Sequence, residues 1–199
     1  MPDVKTKRVL TRDQLLSMAD YGKIRREQRR TVSELKKRRR VEVGPFATFY
    51  FENYDTMWQQ VHEMLYVEKG GEDQIADELD AYNPMIPKGN ELIATVMLEI
   101  DDPARRATVL ARLGGIEDHI FLEFAGERVN GKPDPNRENT SANGKASSVQ
   151  FIWFPFTATQ IARFKMPGTR VVVGVDHANY AHMAVMPEAV RAALSEDFD

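Results

Sequence analysis

The chain has 199 residues, of which 42% are hydrophobic, so it is long enough to bury the core of one domain. It contains no cysteine, which excludes disulfides, thiolate catalysis and cysteine-ligated iron–sulfur or zinc centres within this chain. The net charge of −3 hides an asymmetry: residues 1–43 carry 14 Lys and Arg against 6 Asp and Glu, whereas residues 44–199 are acidic. We therefore predict a basic helical arm over 1–43 and a single α+β domain over 44–199.

The sequence shows no sign of a membrane or secretory segment. No apolar run approaches the roughly 18 residues that a transmembrane helix needs. The basic start of the chain is not followed by the hydrophobic stretch of a secretory signal. We expect a cytoplasmic protein without a membrane span.

The first 90 residues predict three helices and one strand after a short helical turn. Thr11 and Gln14 have the spacing of a capping box, so a short helix is expected there. A second helix is predicted over 23–40 and an aromatic strand over 41–51. Residues 53–68 place apolar side chains at helical spacing, and residues 73–82 form a short acidic helix after Gly70-Gly71.

From residue 91 the elements alternate regularly. Strands are predicted near 92–100, 120–124, 149–156 and 171–175, with helices after Asp102 and Thr157. The order β-α-β-β-α-β over about 91–176 favours a ferredoxin-like antiparallel sheet. Residues 130–145 are rich in Asn, Gly and Pro and predict a long, mobile hairpin loop. A further strand over 180–185 and a helix after Pro187 extend this α+β core at its C-terminal end.

Two segments carry polar residues of the types that bind ligands. The helix over 53–68 presents Gln60, His62, Glu63 and Glu68, but Tyr66 occupies the position of the second His of a zinc-protease helix. These residues equally suit the solvated face of an amphipathic helix. The turn over 176–180 places Asp176, His177, Asn179 and Tyr180 close together, where they suit either a site or a hydrogen-bonded hairpin turn.

The basic helix over 23–40 has two interpretations. Its Lys and Arg residues can follow a phosphate backbone, but the acidic body and the lack of a nucleic-acid-binding motif disfavour this function. We instead expect the helix to pair with the acidic segment 72–80, within the chain or across a homodimer.

Several segments together resemble the domain-of-unknown-function family 3501. The likeness is carried by Val43-Gly44-Pro45, Tyr50-Phe51-Glu52, Gln60-Val61, Glu63-Met64-Leu65, Glu68, Glu78-Leu79, Ala81-Tyr82-Asn83-Pro84, Ile86-Pro87, Gly115-Ile116-Glu117-Asp118, Gly174-Val175-Asp176-His177 and Asn179-Tyr180. The resemblance implies a bacterial protein encoded beside rubrerythrin-like and iron–sulfur oxidoreductase proteins. It therefore implies these proteins as partners and a role in a redox or peroxide-defence system.

Our leading hypothesis is an accessory binding protein without catalysis of its own. Its pocket would combine residues of the helix and the turn under a two-residue lid. The predicted ligand-binding residues are Gln60, Glu63, Glu68, Tyr82, Asn83, Asp176, His177, Asn179 and Tyr180, with Tyr82 and Asn83 as the lid. The alternative is an enzyme in which Glu63, Asp176 and His177 hold a divalent metal, zinc, iron or manganese, and Tyr180 or Glu68 acts as acid or base.

Overall fold

The computed structural model describes residues 7–199, which contain six α-helices and nine strands. The helices are α1 (Met18–Lys37), α2 (Tyr54–Glu68), α3 (Glu72–Tyr82), α4 (Pro103–Leu110), α5 (Ala158–Lys165) and α6 (Glu188–Ser195). The strands are β1 (Arg40–Val43), β2 (Ala47–Phe51), β3 (Glu91–Leu98), β4 (Ile120–Phe124), β5 (Glu127–Asn130), β6 (Lys132–Pro133), β7 (Val149–Pro155), β8 (Val171–His177) and β9 (Tyr180–Val185). Over this range no helix combines the length and the apolar composition that crossing a bilayer requires.

The strands form two sheets in which every neighbouring pair is antiparallel. The first sheet has the order β1-β2-β3-β7-β6 and the second has the order β5-β4-β8-β9. The predicted α+β class is confirmed. The ferredoxin-like core is not confirmed, because its four strands would share one sheet, whereas β3 pairs with β7 in the first sheet and β4 pairs with β8 in the second. The connections after β3, β5 and β7 carry the chain from one sheet to the other.

The strand predicted over 41–51 is a hairpin. Val43 pairs with Ala47, and the turn between them contains Gly44 at φ 69°, a conformation that favours glycine. The predicted domain boundary after residue 43 falls within this hairpin. β1 therefore belongs to the first sheet together with β2 and β3.

The main hydrophobic core lies between the two sheets. Alternate residues of each strand point inward, such as Phe49 and Val96 from the first sheet and Leu122 and Val173 from the second, and all four are buried. Helices α4, α5 and α6 contribute Leu110, Phe164, Val190 and Leu194 to the same core.

Helices cover the outer face of the first sheet. Ile93, Phe151 and Trp153 from this face pack with apolar residues of α2 and α3 in a second hydrophobic cluster. The α1 helix lies against α2, where the fully buried Tyr21 contacts the rings of Trp58, His62 and Tyr66. We refer to α1, α2 and α3 as the helical layer.

The outer face of the second sheet has no such cover among the described residues. We call it the open face. Its residues follow from the alternation of side chains along β8 and from the register of β8 with β9 and β4 and of β4 with β5. They are Phe121, Glu123, Arg128, Val172, Gly174, Asp176, Met183 and Val185. Met183 and Val185 are 65% and 52% exposed. Phe121 is nevertheless fully buried, because it lies over Gly174 and under the Arg128 guanidinium, which is 3.6 Å from the ring centroid.

The C-terminal residues are fastened to the first sheet by a buried ion pair. Arg39 and Asp197 are 3% and 4% exposed and form a salt bridge. The Arg39 guanidinium also donates to the carbonyl oxygens of Phe51, at 2.9 Å, and Glu52, at 3.1 Å. Burial raises the pKa of the Asp197 carboxyl, while the neighbouring Arg39 acts in the opposite direction.

The segment 130–145, predicted as a hairpin loop, is partly ordered by contacts with the rest of the chain. It contains β6, which pairs with β7. Thr140 accepts a hydrogen bond from the Gly115 amide at 2.9 Å and donates one to Glu117 at 3.0 Å. This segment therefore packs against the 3₁₀ turn Ile116–His119 that precedes β4.

Candidate functional site

On α2, Glu63 makes hydrogen bonds within the helical layer. Its Oε1 accepts from the Tyr21 hydroxyl at 2.7 Å and from Arg25 Nε at 2.9 Å, while Oε2 accepts from Arg25 Nη2 at 2.9 Å. The bond from Arg25 lowers the pKa of Glu63 below its ordinary value. This carboxylate joins α2 to α1.

His62 is fully buried and holds the segment before α1 against α2. Its Nδ1 donates to the Trp58 carbonyl at 2.7 Å, and its Nε2 accepts from the Leu16 amide at 3.1 Å. Burial lowers the pKa of His62, which agrees with the neutral imidazole that this pair of hydrogen bonds requires.

The other predicted residues of α2 and α3 also bond to neighbours in the chain. Gln60 donates to the Tyr82 hydroxyl at 3.3 Å, and Glu68 accepts from Gln74 at 2.6 Å. Asn83 binds both backbone groups of Leu10, accepting from its amide at 2.7 Å and donating to its carbonyl at 2.9 Å. Asn83, which was predicted as part of a lid, therefore holds the segment around Leu10 against the rest of the chain.

Tyr180, at the start of β9, joins the two sheets. Its hydroxyl donates to the Val43 carbonyl at 2.6 Å and accepts from the amides of Ala47 at 3.0 Å and Phe46 at 3.2 Å. Burial raises the pKa of this phenol. Because three backbone groups surround the hydroxyl, Tyr180 acts as a structural anchor at this position.

His177 and Asn179 shape the turn between β8 and β9. His177 is 8% exposed; its Nδ1 accepts from the Asn179 amide at 3.2 Å, and its Nε2 lies 3.3 Å from the Gly114 carbonyl. The Asn179 side chain donates to the Arg112 carbonyl at 2.9 Å. The turn is therefore fixed to the connection that follows α4.

Asp176 lies on the open face within a polar cluster that also comprises His119 and Arg128. Its Oδ1 is 3.0 Å from His119 Nδ1, and its Oδ2 accepts from Arg128 Nη2 at 2.5 Å. The bond from Arg128 lowers the pKa of Asp176. The His119 and His177 rings meet edge to face with centroids 5.3 Å apart, so the turn and the polar cluster are in contact.

The structure separates the two halves of the predicted pocket. Glu63 lies in the helical layer, whereas His177 belongs to the second sheet, and the first sheet stands between them. The spacing between two stacked sheets is already about 10 Å, and Glu63 lies beyond the first sheet. The two side chains are therefore too far apart to share one ligand. Within residues 7–199, no three His, Cys, Asp or Glu side chains are grouped so that they could hold a metal ion. The set Glu63, Asp176 and His177 is therefore not assembled.

A small cavity lies beside the turn between β8 and β9. We call it the turn cavity; its volume is about 250 Å³, and it is lined by Pro45, Phe46, Val109, Arg112, Leu113, Asn179, Tyr180 and His182. The Phe46 and Tyr180 rings pack with centroids 4.4 Å apart. Two predicted site residues, Asn179 and Tyr180, thus border a concave surface.

Sequence reasoning missed the residues that complete the polar cluster and the turn cavity. His119 and Arg128 became candidates only through the strand register, which pairs Ile120 with Val175 and Glu123 with Arg128. His119 directly follows the motif 115–118, which was the only sequence signal for it. Arg112 and His182 meet across the turn cavity although they are far apart along the chain, and no local pattern indicates this.

The basic helix forms ion pairs mainly with nearby acids. Arg25 pairs with Glu63 of α2, and Lys23 and Lys37 pair with acids three residues away on α1. The acidic segment 72–80, which was expected to pair with this helix, contacts Arg12 through Glu72. Among the described residues, the ion pair that joins α1 to another helix is therefore made with α2.

The comparisons with known proteins identify a family. A profile described as "Protein of unknown function (DUF3501)" matches residues 9–198. A crystal structure described as a novel protein of unknown function from Burkholderia pseudomallei K96243 is 39% identical and superposes with a TM-score of 0.89. The match covers 96% of this chain and 100% of that one. No curated protein matches. The chain therefore belongs to the DUF3501 family.

Proposed function

We propose that the chain is a non-catalytic accessory protein of a bacterial redox or peroxide-defence system, acting in the cytoplasm, and that it binds a rubrerythrin-like protein through the open face. The observation that carries this proposal is the combination of exposed Met183 and Val185 with the polar cluster on a sheet face that no described element covers. The choice of partner follows from the gene neighbourhood that the family resemblance implies.

The composition of the open face suits a protein interface. Interfaces are enriched in Met and Arg and are poorer in Lys and Glu than other surfaces. Met183 and Val185 supply apolar area, while Arg128 and Asp176 supply hydrogen-bonding groups at its border. Contiguous exposed apolar patches with a polar rim are typical of interaction sites.

Several predicted site residues already use their hydrogen-bonding groups within the chain, which favours a binding function over catalysis. Glu63 and Asn83 each make two or more hydrogen bonds to other parts of the chain. Catalytic groups, in contrast, face a pocket in which a substrate can reach them. Asp176 and His119 remain accessible, but they lie on an open sheet face.

The test is a binding measurement with a rubrerythrin-like protein from the same organism, monitored by surface plasmon resonance. A glutamate at position 183 places a charge at the centre of the apolar area, so Met183→Glu should weaken binding at least about tenfold. The matched control is Val67→Glu on α2, because Val67 is 63% exposed but lies in the helical layer. This control should bind like the wild type.

The other occupants of the face give distinguishable results. Sedimentation of the wild type alone as a dimer, abolished by Met183→Glu, would assign the face to a second copy of the chain. Binding of an iron–sulfur oxidoreductase with the same sensitivity would replace the partner within the same system. If wild-type protein binds none of these, or if both substitutions act equally, the proposal is wrong.

A further inference from the structure

The turn cavity is lined by both apolar and polar residues. Phe46, Val109 and Leu113 supply the apolar surface, and Arg112, Asn179 and His182 stand around it. Small-molecule sites have this construction, in which apolar walls provide contact area and a few polar groups fix orientation. At about 250 Å³ the cavity is below the range typical of drug-sized ligands and suits a small molecule.

Among the described residues that line the cavity, the charged residue is Arg112. Arg112 and His182 belong to the lining, and no Asp or Glu belongs to the part of it that the structure describes. Arg112 forms no ion pair among the described residues, in contrast to Arg128, which bonds Asp176. A guanidinium presents a planar fork of donors that matches the two oxygens of a carboxylate.

The walls of the cavity are held in place by the fold. Tyr180 is fixed by its bonds to the β1–β2 turn, and the Asn179 amide group is bound to the Arg112 carbonyl. A Cβ at Gly44 would lie 2.6 Å from Cγ of His182, so only glycine leaves this ring its position. A site whose walls are fixed before binding loses less entropy when the ligand binds.

We propose that the turn cavity binds a small organic monocarboxylate, with the carboxylate on Arg112 and the apolar part of the molecule against Phe46, Val109 and Leu113. His182 provides a second polar contact at the rim. The inference is independent of the protein partner proposed above, because the cavity and the open face are lined by different residues.

The probe for this site is benzoate, compared with benzyl alcohol and inorganic phosphate, using isothermal titration calorimetry on the full chain. Benzoate should bind more tightly than either comparison ligand, because benzyl alcohol lacks the carboxylate and phosphate lacks the apolar part. Arg112→Gln should weaken benzoate binding by about ten- to a hundredfold, as expected when a hydrogen bond to a charged group is lost. Val109→Trp should abolish binding by filling the cavity.

The control is Arg105→Gln, because Arg105 is an exposed arginine on α4 and does not line the cavity. This variant should bind benzoate like the wild type. Two-dimensional NMR of the wild type requires no variant to fold, and benzoate should shift the signals of Phe46, Leu113 and His182. The proposal is overturned if phosphate or benzyl alcohol binds equally well, if Arg105→Gln is as damaging as Arg112→Gln, or if the shifted signals lie elsewhere.

Discussion

The two sheets share one core but differ in what their outer faces contact. The first sheet has an outer face that packs on α2 and α3, where Ile93 is fully buried. The second sheet has an outer face on which Met183 is 65% exposed and the only large buried side chain, among the described residues, is Phe121. The polar groups follow the same division. His62 and Glu63 bond within the helical layer, whereas Asp176 and its neighbours bond at the surface.

This difference shows why polar residues of the same types have different roles in the two regions. A polar group removed from water must find a partner inside the protein, so polar residues beneath a helical layer are bound by the fold. A polar group on an uncovered sheet can keep a second interaction for another molecule. The following predictions test this contrast, beginning with the largest effect.

The largest effect is expected for Arg39→Met. This change leaves the buried Asp197 carboxyl without its ion-pair partner and should lower the free energy of unfolding by about 3–5 kcal/mol. The measurement is urea denaturation at pH 7. Arg40→Met is the control, because Arg40 is the next residue but its side chain is 46% exposed, so the loss should stay below about 1 kcal/mol. Equal losses in the two variants would contradict the assigned difference in burial.

A smaller effect is expected for Gly174→Ala on the open face. The added Cβ would lie 2.2 Å from Cζ of Phe121, so the ring must move away, at a cost of about 1–3 kcal/mol. Urea denaturation of Phe121→Leu and of the double variant completes the cycle. Since the smaller side chain relieves the clash, the two losses should be less than additive by at least about 0.5 kcal/mol. Strict additivity would show that the Phe121 ring does not restrict position 174.

The third prediction concerns the pH dependence contributed by His62. The folded protein holds this residue at a lowered pKa, so above the unfolded value of about 6.5 both states carry a neutral ring. As the pH falls below about 6.5, the unfolded state takes up a proton that the folded state resists. The free energy of unfolding should then fall by up to about 1.4 kcal/mol per pH unit. Denaturation between pH 7 and 5.5 should show a shallower slope in His62→Gln, and identical slopes would be inconsistent with a buried neutral imidazole.

The smallest effect on stability is expected for Arg128→Gln. The side chains of Arg128 and Asp176 are 38% and 41% exposed, so solvent screens their ion pair. Together with the lost contact between Arg128 and the Phe121 ring, the loss should be about 1 kcal/mol. Arg170→Gln serves as a control for an exposed arginine of the same region. Thermal denaturation in low salt and in 1 M NaCl distinguishes the two variants. Salt should reduce the difference in stability between Arg128→Gln and the wild type, but not the difference between Arg170→Gln and the wild type. A loss above about 3 kcal/mol is the size expected for a buried ion pair and would contradict this prediction.

Local features of the fold were predictable from the sequence. Asp102 caps α4 by accepting from the Arg105 amide at 2.6 Å, and Thr157 caps α5 by accepting from the Gln160 amide at 3.2 Å, as their spacing indicates. The apolar spacing of residues 53–68 likewise predicted the buried face of α2. These signals depend on residues within one or two turns of each other, which sequence patterns record directly.

The partition of strands between sheets and the shape of the site were not predictable in this way. The order of elements from residue 91 onward fits one sheet or two, since long connections can cross between layers. The turn over 176–180 was correctly chosen as a polar turn, but the role of Tyr180 depends on Val43, which is 137 positions away. Residue type alone does not reveal whether a hydroxyl or carboxylate bonds the chain or another molecule.

The Arg39–Asp197 pair also affects the order of events during synthesis. Its two residues are 158 positions apart, so the pair cannot form until residue 197 has left the ribosome. Until then the guanidinium that organises the end of β2 has no carboxylate beside it. Closing so long a segment is entropically costly and slow. The contact that fastens Asp197 beside β2 therefore forms only after the strands of the first sheet, the last of which ends at Pro155, have all been translated.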